Sequence, residues 1–167
     1  MGVFRGTKPP RPGLGLPRTP SIHSVDFLDP SGEGRRLMLR KLMRAKIHRA
    51  TVTRCDPDYV GSITIDADLL HAVGVRPNES VHIYDINNGS RFETYVILGE
   101  SGSGEIGING AAALLTAPGH HVIIVAWGLI GPEEIDRHVG RVVVCDDKNA
   151  IAERHAYTSR LPDPKSR

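Results

Sequence analysis

Alternating apolar and polar residues begin near Lys46 and predict a chain built mainly from short β-strands. "KIHRATVTR", residues 46–54, places successive side chains on two opposite faces, as a half-buried strand does. "SVHIYDINNGSRFETYVIL", residues 80–98, holds two such runs joined by Asn88-Gly89. Because that pair tolerates positive φ angles, we expect a β-hairpin there.

Three later segments predict further strands. "GEIGING", residues 104–110, is short, whereas "HVIIVAWGLI", residues 121–130, is continuously apolar and typical of a central buried strand. "RVVVCDDKNAI", residues 141–151, predicts a last strand and a turn.

Helical signals are few and brief. "IDADLLHAVG" predicts a short helix that Asp66 caps and Gly74 ends, and "AAALL", residues 111–115, predicts one or two further turns. Many short strands with no regular βαβ alternation indicate a mainly-β barrel with short helices, although the pattern alone does not say which barrel.

Composition divides the chain into three regions. Residues 1–37 hold half of the 12 prolines and a third of the 18 glycines without sustained periodicity, so we predict a disordered N-terminal extension. Residues 38–150 are expected to form the single folded domain, and residues 151–167 a polar C-terminal tail.

Charge and cysteine content exclude several functional classes. The net charge of +2 arises mainly in residues 1–37, so the domain has no basic surface for nucleic acid. No apolar run is long enough to span a membrane, and no secretory signal is visible. Two widely separated cysteines suit a reducing compartment, so we expect a cytoplasmic protein.

Two familiar site patterns carry little weight here. Gly102-Ser-Gly104-Glu-Ile-Gly107 matches a dinucleotide-binding pattern, but neither the long helix nor the acidic residue that should follow is present. His120-His121 would face opposite ways in a strand and has no third ligand spaced nearby. We therefore expect no metal site.

Gly61-Ser62 precedes an apolar, β-branched run and has a specific chemical possibility. A serine hydroxyl can attack the carbonyl of the preceding residue and convert the amide into an ester. Glycine allows the backbone conformation that such an attack needs. Elimination and hydrolysis would then turn Ser62 into a pyruvoyl group, although a Gly-Ser pair is more often an ordinary loop.

Four blocks together resemble the pyruvoyl-dependent aspartate 1-decarboxylase family: "KIHRATVT", "YVGSITIDADLL", "NNGSRFETY" and "GINGAAA". The resemblance covers about residues 38–150. It implies a double-psi β-barrel, cleavage between Gly61 and Ser62, and a homotetramer with active sites between subunits. It also implies conversion of L-aspartate to β-alanine and CO2, for pantothenate synthesis, through a Schiff base on the pyruvoyl group.

The resemblance also implies roles for individual residues. Ser62 corresponds to the pyruvoyl precursor, Thr94 to the threonine that orients the Gly61 carbonyl during processing, and Tyr95 to the catalytic acid. The implied substrate-binding residues are Arg91, Thr94, Lys46, His48, Asn109, Gly110, Ala111 and Ala112. Without the family, Thr94 and Tyr95 would be read as cross-strand packing, and Arg91 as a charge beside a turn. Three features depart from the family pattern: Tyr84, His120 and "RCDPD", residues 54–58.

Two other functions remain open from the residues. Cleavage could instead free Ser62 as the amine-bearing nucleophile of an N-terminal nucleophile hydrolase. Alternatively, the chain could be an uncleaved β-barrel that binds a ligand without chemistry.

Overall fold

The computed structural model describes residues 38–162, within which nine strands and one α-helix form the domain. The predicted disordered segment, residues 1–37, lies outside the described residues. The strands are β1 Arg40–Thr51, β2 Arg54–Asp56, β3 Ile63–Ile65, β4 Ser80–Asp85, β5 Arg91–Leu98, β6 Ile106–Asn109, β7 His121–Ile130, β8 Val139–Cys145 and β9 Ile151–Thr158. Helix α1 is Ala67–Val73, and 3₁₀ helices span Gly110–Leu114 and Ile135–Arg137.

All nine strands belong to one sheet in the order β2-β6-β3-β5-β4-β7-β1-β8-β9. The pairs β1–β8, β2–β6 and β3–β5 are parallel, and the other pairs are antiparallel. The predicted mainly-β fold with short helices is confirmed. Closure of the sheet into a double-psi barrel stays a prediction.

The core is aliphatic and lies beneath the strands. Its largest fully buried side chains include Ile47, Ile63, Ile65, Leu69, Leu70, Ile83, Ile106 and Ile108. Strand β1 does not keep the strict alternation that its sequence predicts. Ala45 and Ile47 are buried, but a bulge at Arg49, with φ 60°, makes Ala50 and Val52 the next buried residues. The extra residue in the bulge switches the face that points inward.

Helix α1 begins and ends where the sequence predicts. The Asp66 side chain accepts a hydrogen bond from the Asp68 amide at 2.7 Å, and Gly74 ends the helix in the left-handed conformation with φ 72°. Asp66 also accepts bonds from the amides of Gly102 and Gly104, so one carboxylate fixes both the helix and the following glycine-rich connection. These bonds give the connection a structural role.

The predicted hairpin is present, as β4 and β5 pair antiparallel around a loop with Gly89 at φ 79°. The buried Asp85 carboxylate anchors this loop. It accepts bonds from the Asn87 and Asn88 amides and from the Thr116 hydroxyl at 2.6 Å, and its Oδ2 lies 2.7 Å from His120 Nδ1. Burial alone would raise the pKa of Asp85, but these hydrogen bonds outweigh it and hold the pKa below its ordinary value.

Asp85 should therefore make the fold sensitive to acid. A carboxyl whose pKa is lower in the folded state stabilises the fold above its unfolded pKa, and this contribution is lost as the pH falls through the folded pKa. We expect Asp85→Asn to lower the free energy of unfolding by about 1–3 kcal/mol at pH 7. The difference in unfolding free energy between the variant and wild type should shrink as the pH falls below 3.8, the ordinary pKa of an aspartate. Urea unfolding at pH 7 and pH 3 measures both effects, with the exposed Asp147→Asn as the control. An equal difference at both pH values would contradict the prediction.

The region after residue 150 contains a strand that the sequence did not reveal. Residues 151–158 form β9, which pairs with β8 at the edge of the sheet. Almost every residue of β9 is exposed, so neither face has an apolar period for the sequence to display. Within residues 38–162, no helix is long and apolar enough to cross a membrane.

Candidate active site

The Gly61–Ser62 peptide lies immediately before β3 in a strained conformation. Gly61 has φ 44° and Ser62 has φ 95°, which is unusual for a residue with a side chain. Ser62 is only 3% exposed, and its Oγ is buried without a hydrogen-bond partner among the described residues. An unpaired buried hydroxyl and a strained backbone are both costly, and such features cluster at functional sites.

Neighbouring backbone groups hold the Gly61–Ser62 peptide, hereafter the junction, from two sides. The Gly61 amide donates to the Tyr59 carbonyl at 2.7 Å, which closes a tight turn before the serine. The Asn109 amide donates to the Ser62 carbonyl at 2.9 Å. Gly110 has φ 62°, and a Cβ added there would lie 2.9 Å from Gly61 Cα. Only glycine therefore fits at position 110.

Strand pairing places Tyr95 beside this peptide. In the parallel β3–β5 pair Ile63 lies opposite Val96, so the preceding residues, Ser62 and Tyr95, also lie side by side. The Tyr95 hydroxyl lies 3.6 Å from the position that a Cβ on Gly61 would occupy. Tyr95 as a whole residue is 41% exposed, so it borders solvent while its hydroxyl lies beside the junction. Thr94 lies across from Val81 and faces the other side of β5.

Asn109 lies beneath the junction in a polar network. Its side chain is completely buried; Oδ1 accepts a bond from Arg54 at 2.7 Å, and Nδ2 donates to Thr64 Oγ1 at 3.3 Å. Arg54 also forms an ion pair with Glu105 at 2.7 Å. The sequence did not reveal Arg54, Thr64 or Glu105 as site residues.

Arg91 begins β5 and is exposed. Its guanidinium stacks on the Tyr84 ring, with Cζ 4.7 Å from the ring centroid. Stacking leaves the planar edge of a guanidinium, which carries its N–H groups, available for a carboxylate. Arg91 and Tyr95 are four residues apart in one strand and therefore share a face.

Comparison with known proteins assigns the chain to a family. A model of the aspartate decarboxylase family matches residues 38–152. The chain belongs to this family. It is 54% identical over 116 residues to an aspartate 1-decarboxylase of Bacillus cytotoxicus, covering 70% of this chain and 91% of that relative. It is 55% identical, with the same coverage, to an aspartate 1-decarboxylase of Bacillus cereus strain B4264.

The fold brings together only part of the site that membership of the aspartate decarboxylase family implies. Gly61, Ser62, Tyr95, Asn109 and Gly110 are neighbours around one peptide bond. Ala111 and Ala112 follow directly in the first 3₁₀ helix, where the Ala112 carbonyl accepts a bond from the Leu115 amide.

Lys46 and His48 lie in a different part of the sheet. Both are on β1, which β5, β4 and β7 separate from β3 in the sheet order. They share the face opposite the buried Ala45 and Ile47, as their spacing predicted. Burial lowers the pKa of His48, and the positive charges of Lys46 and Arg49 lower it further. Both effects favour the neutral form of the His48 ring.

Proposed function

We propose that this protein cleaves its own chain between Gly61 and Ser62 and uses the resulting pyruvoyl group to convert L-aspartate to β-alanine and CO2. Membership of the aspartate decarboxylase family supports the decarboxylation. The observation that carries the self-cleavage is the buried, unpaired Ser62 Oγ beside a glycine with left-handed φ. No described residue forms a hydrogen bond with this hydroxyl.

The cleavage chemistry balances with water as the only co-reactant. Ser62 Oγ bonds to the Gly61 carbonyl carbon, the peptide C–N bond breaks, and the hydroxyl proton passes to the Ser62 nitrogen. A proton then leaves Ser62 Cα as the Cβ–O bond breaks, which frees Gly61 as a carboxylate. The remaining enamine takes up water and releases ammonia, leaving a ketone at residue 62.

The surroundings of residue 62 fit this group. A ketone needs no hydrogen-bond donor and tolerates the apolar wall of β3 and β6, where Ile63 and Ile108 are fully buried. Once formed, the group would supply an electron-withdrawing carbonyl, the chemistry needed to stabilise the electron pair that decarboxylation leaves on the substrate.

The chain's own residues then bind the substrate and move a proton. We assign Tyr95 the proton that returns to the substrate carbon, because its hydroxyl lies beside the junction and the residue is partly open to solvent. Arg91 presents its stacked guanidinium on the same face of β5 and would hold a substrate carboxylate. The role of Thr94, to orient the Gly61 carbonyl before cleavage, rests on family resemblance alone, since Thr94 lies on the face of β5 opposite to Tyr95.

In the sheet order, three strands lie between β1, which carries Lys46 and His48, and β3, which follows Ser62, and this placement supports a site shared between subunits. We propose a homotetramer in which β1 of a neighbouring copy presents these two residues to the pyruvoyl end, with Asn109, Gly110, Ala111 and Ala112 lining the opposite side. Two free cysteines, Cys55 and Cys145, suit a cytoplasmic location for this assembly.

Intact mass spectrometry with borohydride tests the whole proposal. We expect fragments 1–61 and 62–167, the second carrying a ketone in place of serine. Borohydride added with L-aspartate should trap an adduct on fragment 62–167, whereas borohydride alone should only reduce the ketone. D-Aspartate serves as the matched control.

Other outcomes identify the alternative functions. A fragment 62–167 that begins with an unmodified serine and is readable by Edman degradation would favour an N-terminal nucleophile hydrolase. A single uncleaved chain after prolonged warming would favour a binding module.

A further inference from the structure

We propose that Arg54 is a positioning residue, which fixes Asn109 against the Gly61–Ser62 junction and thereby sets the rate of self-cleavage. This inference rests on the self-cleavage proposed above. Arg54 belongs to "RCDPD", the stretch that departs from the family pattern, so the resemblance assigns it no role.

The Arg54 guanidinium donates hydrogen bonds to three side chains. Its Nε donates to Glu105 at 2.7 Å, Nη1 to Asn109 Oδ1 at 2.7 Å, and Nη2 to Thr64 Oγ1 at 3.3 Å. The rigid fork of a guanidinium can hold three such partners in fixed directions, which the single ammonium of lysine cannot do.

This contact fixes the orientation of the Asn109 amide. A guanidinium only donates hydrogen bonds, so the oxygen of Asn109 must face Arg54 and its nitrogen must face Thr64. Asn109 is completely buried, and the same residue donates its backbone N–H to the Ser62 carbonyl at 2.9 Å. A change in the Asn109 side chain is thus transmitted to Ser62, the residue whose nitrogen and hydroxyl take part in the cleavage.

Arg54 also connects the two sides of the scissile bond. Arg54 precedes the bond in the chain. Tyr59 also precedes it, and the centroid of the Tyr59 ring lies 5.8 Å from Arg54 Cζ. Glu105, Asn109 and Thr64 all follow the bond. The network therefore joins the segment before the junction to the segment after it in the uncleaved chain.

The ion pair within the network is placed to act on geometry more than on overall stability. The Arg54 and Glu105 side chains are 40% and 28% exposed, and ion pairs near the surface contribute little to the stability of a fold. A reaction between two atoms of one chain is far more sensitive to small shifts in position, since a displacement of about 1 Å can lower the rate about 100-fold.

Arg54→Met provides the test, and Arg44→Met is the matched control. Arg44 forms a similar ion pair with Glu79 at 2.6 Å, with side chains 30% and 35% exposed, but in a different part of the sheet. Purified full-length precursors are warmed, and cleavage between residues 61 and 62 is followed by intact mass, alongside the melting temperature. We expect Arg54→Met to cleave about 10- to 100-fold more slowly than wild type. Arg44→Met should lose similar thermal stability and cleave at the wild-type rate.

Two further variants extend the comparison. Arg54→Lys, which keeps the charge without the fork, should be slowed to an intermediate degree and serves if Arg54→Met does not fold. In Arg54→Ala, added guanidinium ion at millimolar concentration should restore part of the lost rate, which a general loss of stability would not allow.

The outcomes separate this inference from the proposed function. Wild-type cleavage rates in all Arg54 variants, or equal slowing by Arg44→Met, would overturn the role of Arg54 while leaving self-cleavage intact. A wild-type chain that stays whole when warmed would overturn the proposed self-cleavage, and the role of Arg54 with it.

Discussion

Ser62→Ala should leave the chain whole and without decarboxylase activity. Alanine has no Oγ to attack the Gly61 carbonyl, so neither the ester nor the ketone can form. The rate of CO2 release should fall to background, a loss of at least about 10⁶-fold if the enzyme lies at the lower end of natural rate enhancements. The fold should survive, because the removed hydroxyl is buried without a hydrogen-bond partner among the described residues. Intact mass and release of labelled CO2 from L-aspartate measure the two effects together.

The chain contains its own control for this substitution. Gly89-Ser90 is a second Gly-Ser pair, but it lies in the hairpin loop, where the Ser90 amide bonds to Asn88 Oδ1. Ser90→Ala should cleave and decarboxylate at the wild-type rate. Activity in Ser62→Ala, or a break at residues 89–90, would show that the serine at position 62 does not generate the cofactor.

The sequence was sufficient to predict the elements that depend on a few neighbouring residues. Helix α1 follows from the capping carboxylate of Asp66 and the left-handed Gly74, and the hairpin from Gly89 between two alternating runs. The bulge at Arg49 and strand β9 have no local signature, because they depend on pairing with β7 and β8. Pairing between distant segments is the part of a β-fold that one sequence expresses least directly.

The site also contains residues that the sequence indicated and contacts that only the fold shows. Family resemblance indicated Gly61, Ser62, Tyr95 and Asn109, and the fold brings them together. The partners of Arg54 could not be predicted, since Glu105 is 51 residues away and is brought near only by the parallel pairing of β2 with β6. The positive φ of Ser62 is likewise imposed from outside, by Asn109 and by the turn at Tyr59.

Tyr95→Phe should separate self-cleavage from catalysis. The substitution removes one hydroxyl and keeps the ring, so packing beside Gly61 should persist and the chain should still cleave at Gly61–Ser62. The substrate carbon would lose its proton donor, and a positioned general acid contributes about 10²- to 10⁴-fold. We expect kcat for β-alanine formation to fall by that factor, with a much smaller change in KM, since Tyr95 is not assigned to carboxylate binding. Steady-state kinetics on fully cleaved enzyme, verified by intact mass, makes the measurement.

Tyr157→Phe is the matched control, because Tyr157 is an exposed tyrosine on the edge strand β9, away from the junction. It should behave as wild type in both cleavage and turnover. If Tyr95→Phe kept the wild-type kcat, the proton would have to come from another group or from water admitted at the open side of the site. If Tyr95→Phe instead blocked cleavage, the hydroxyl would be needed at Gly61 itself. Because the Tyr95 hydroxyl lies 3.6 Å from the Cβ position of Gly61, the two outcomes distinguish a role in cleavage from a role in catalysis.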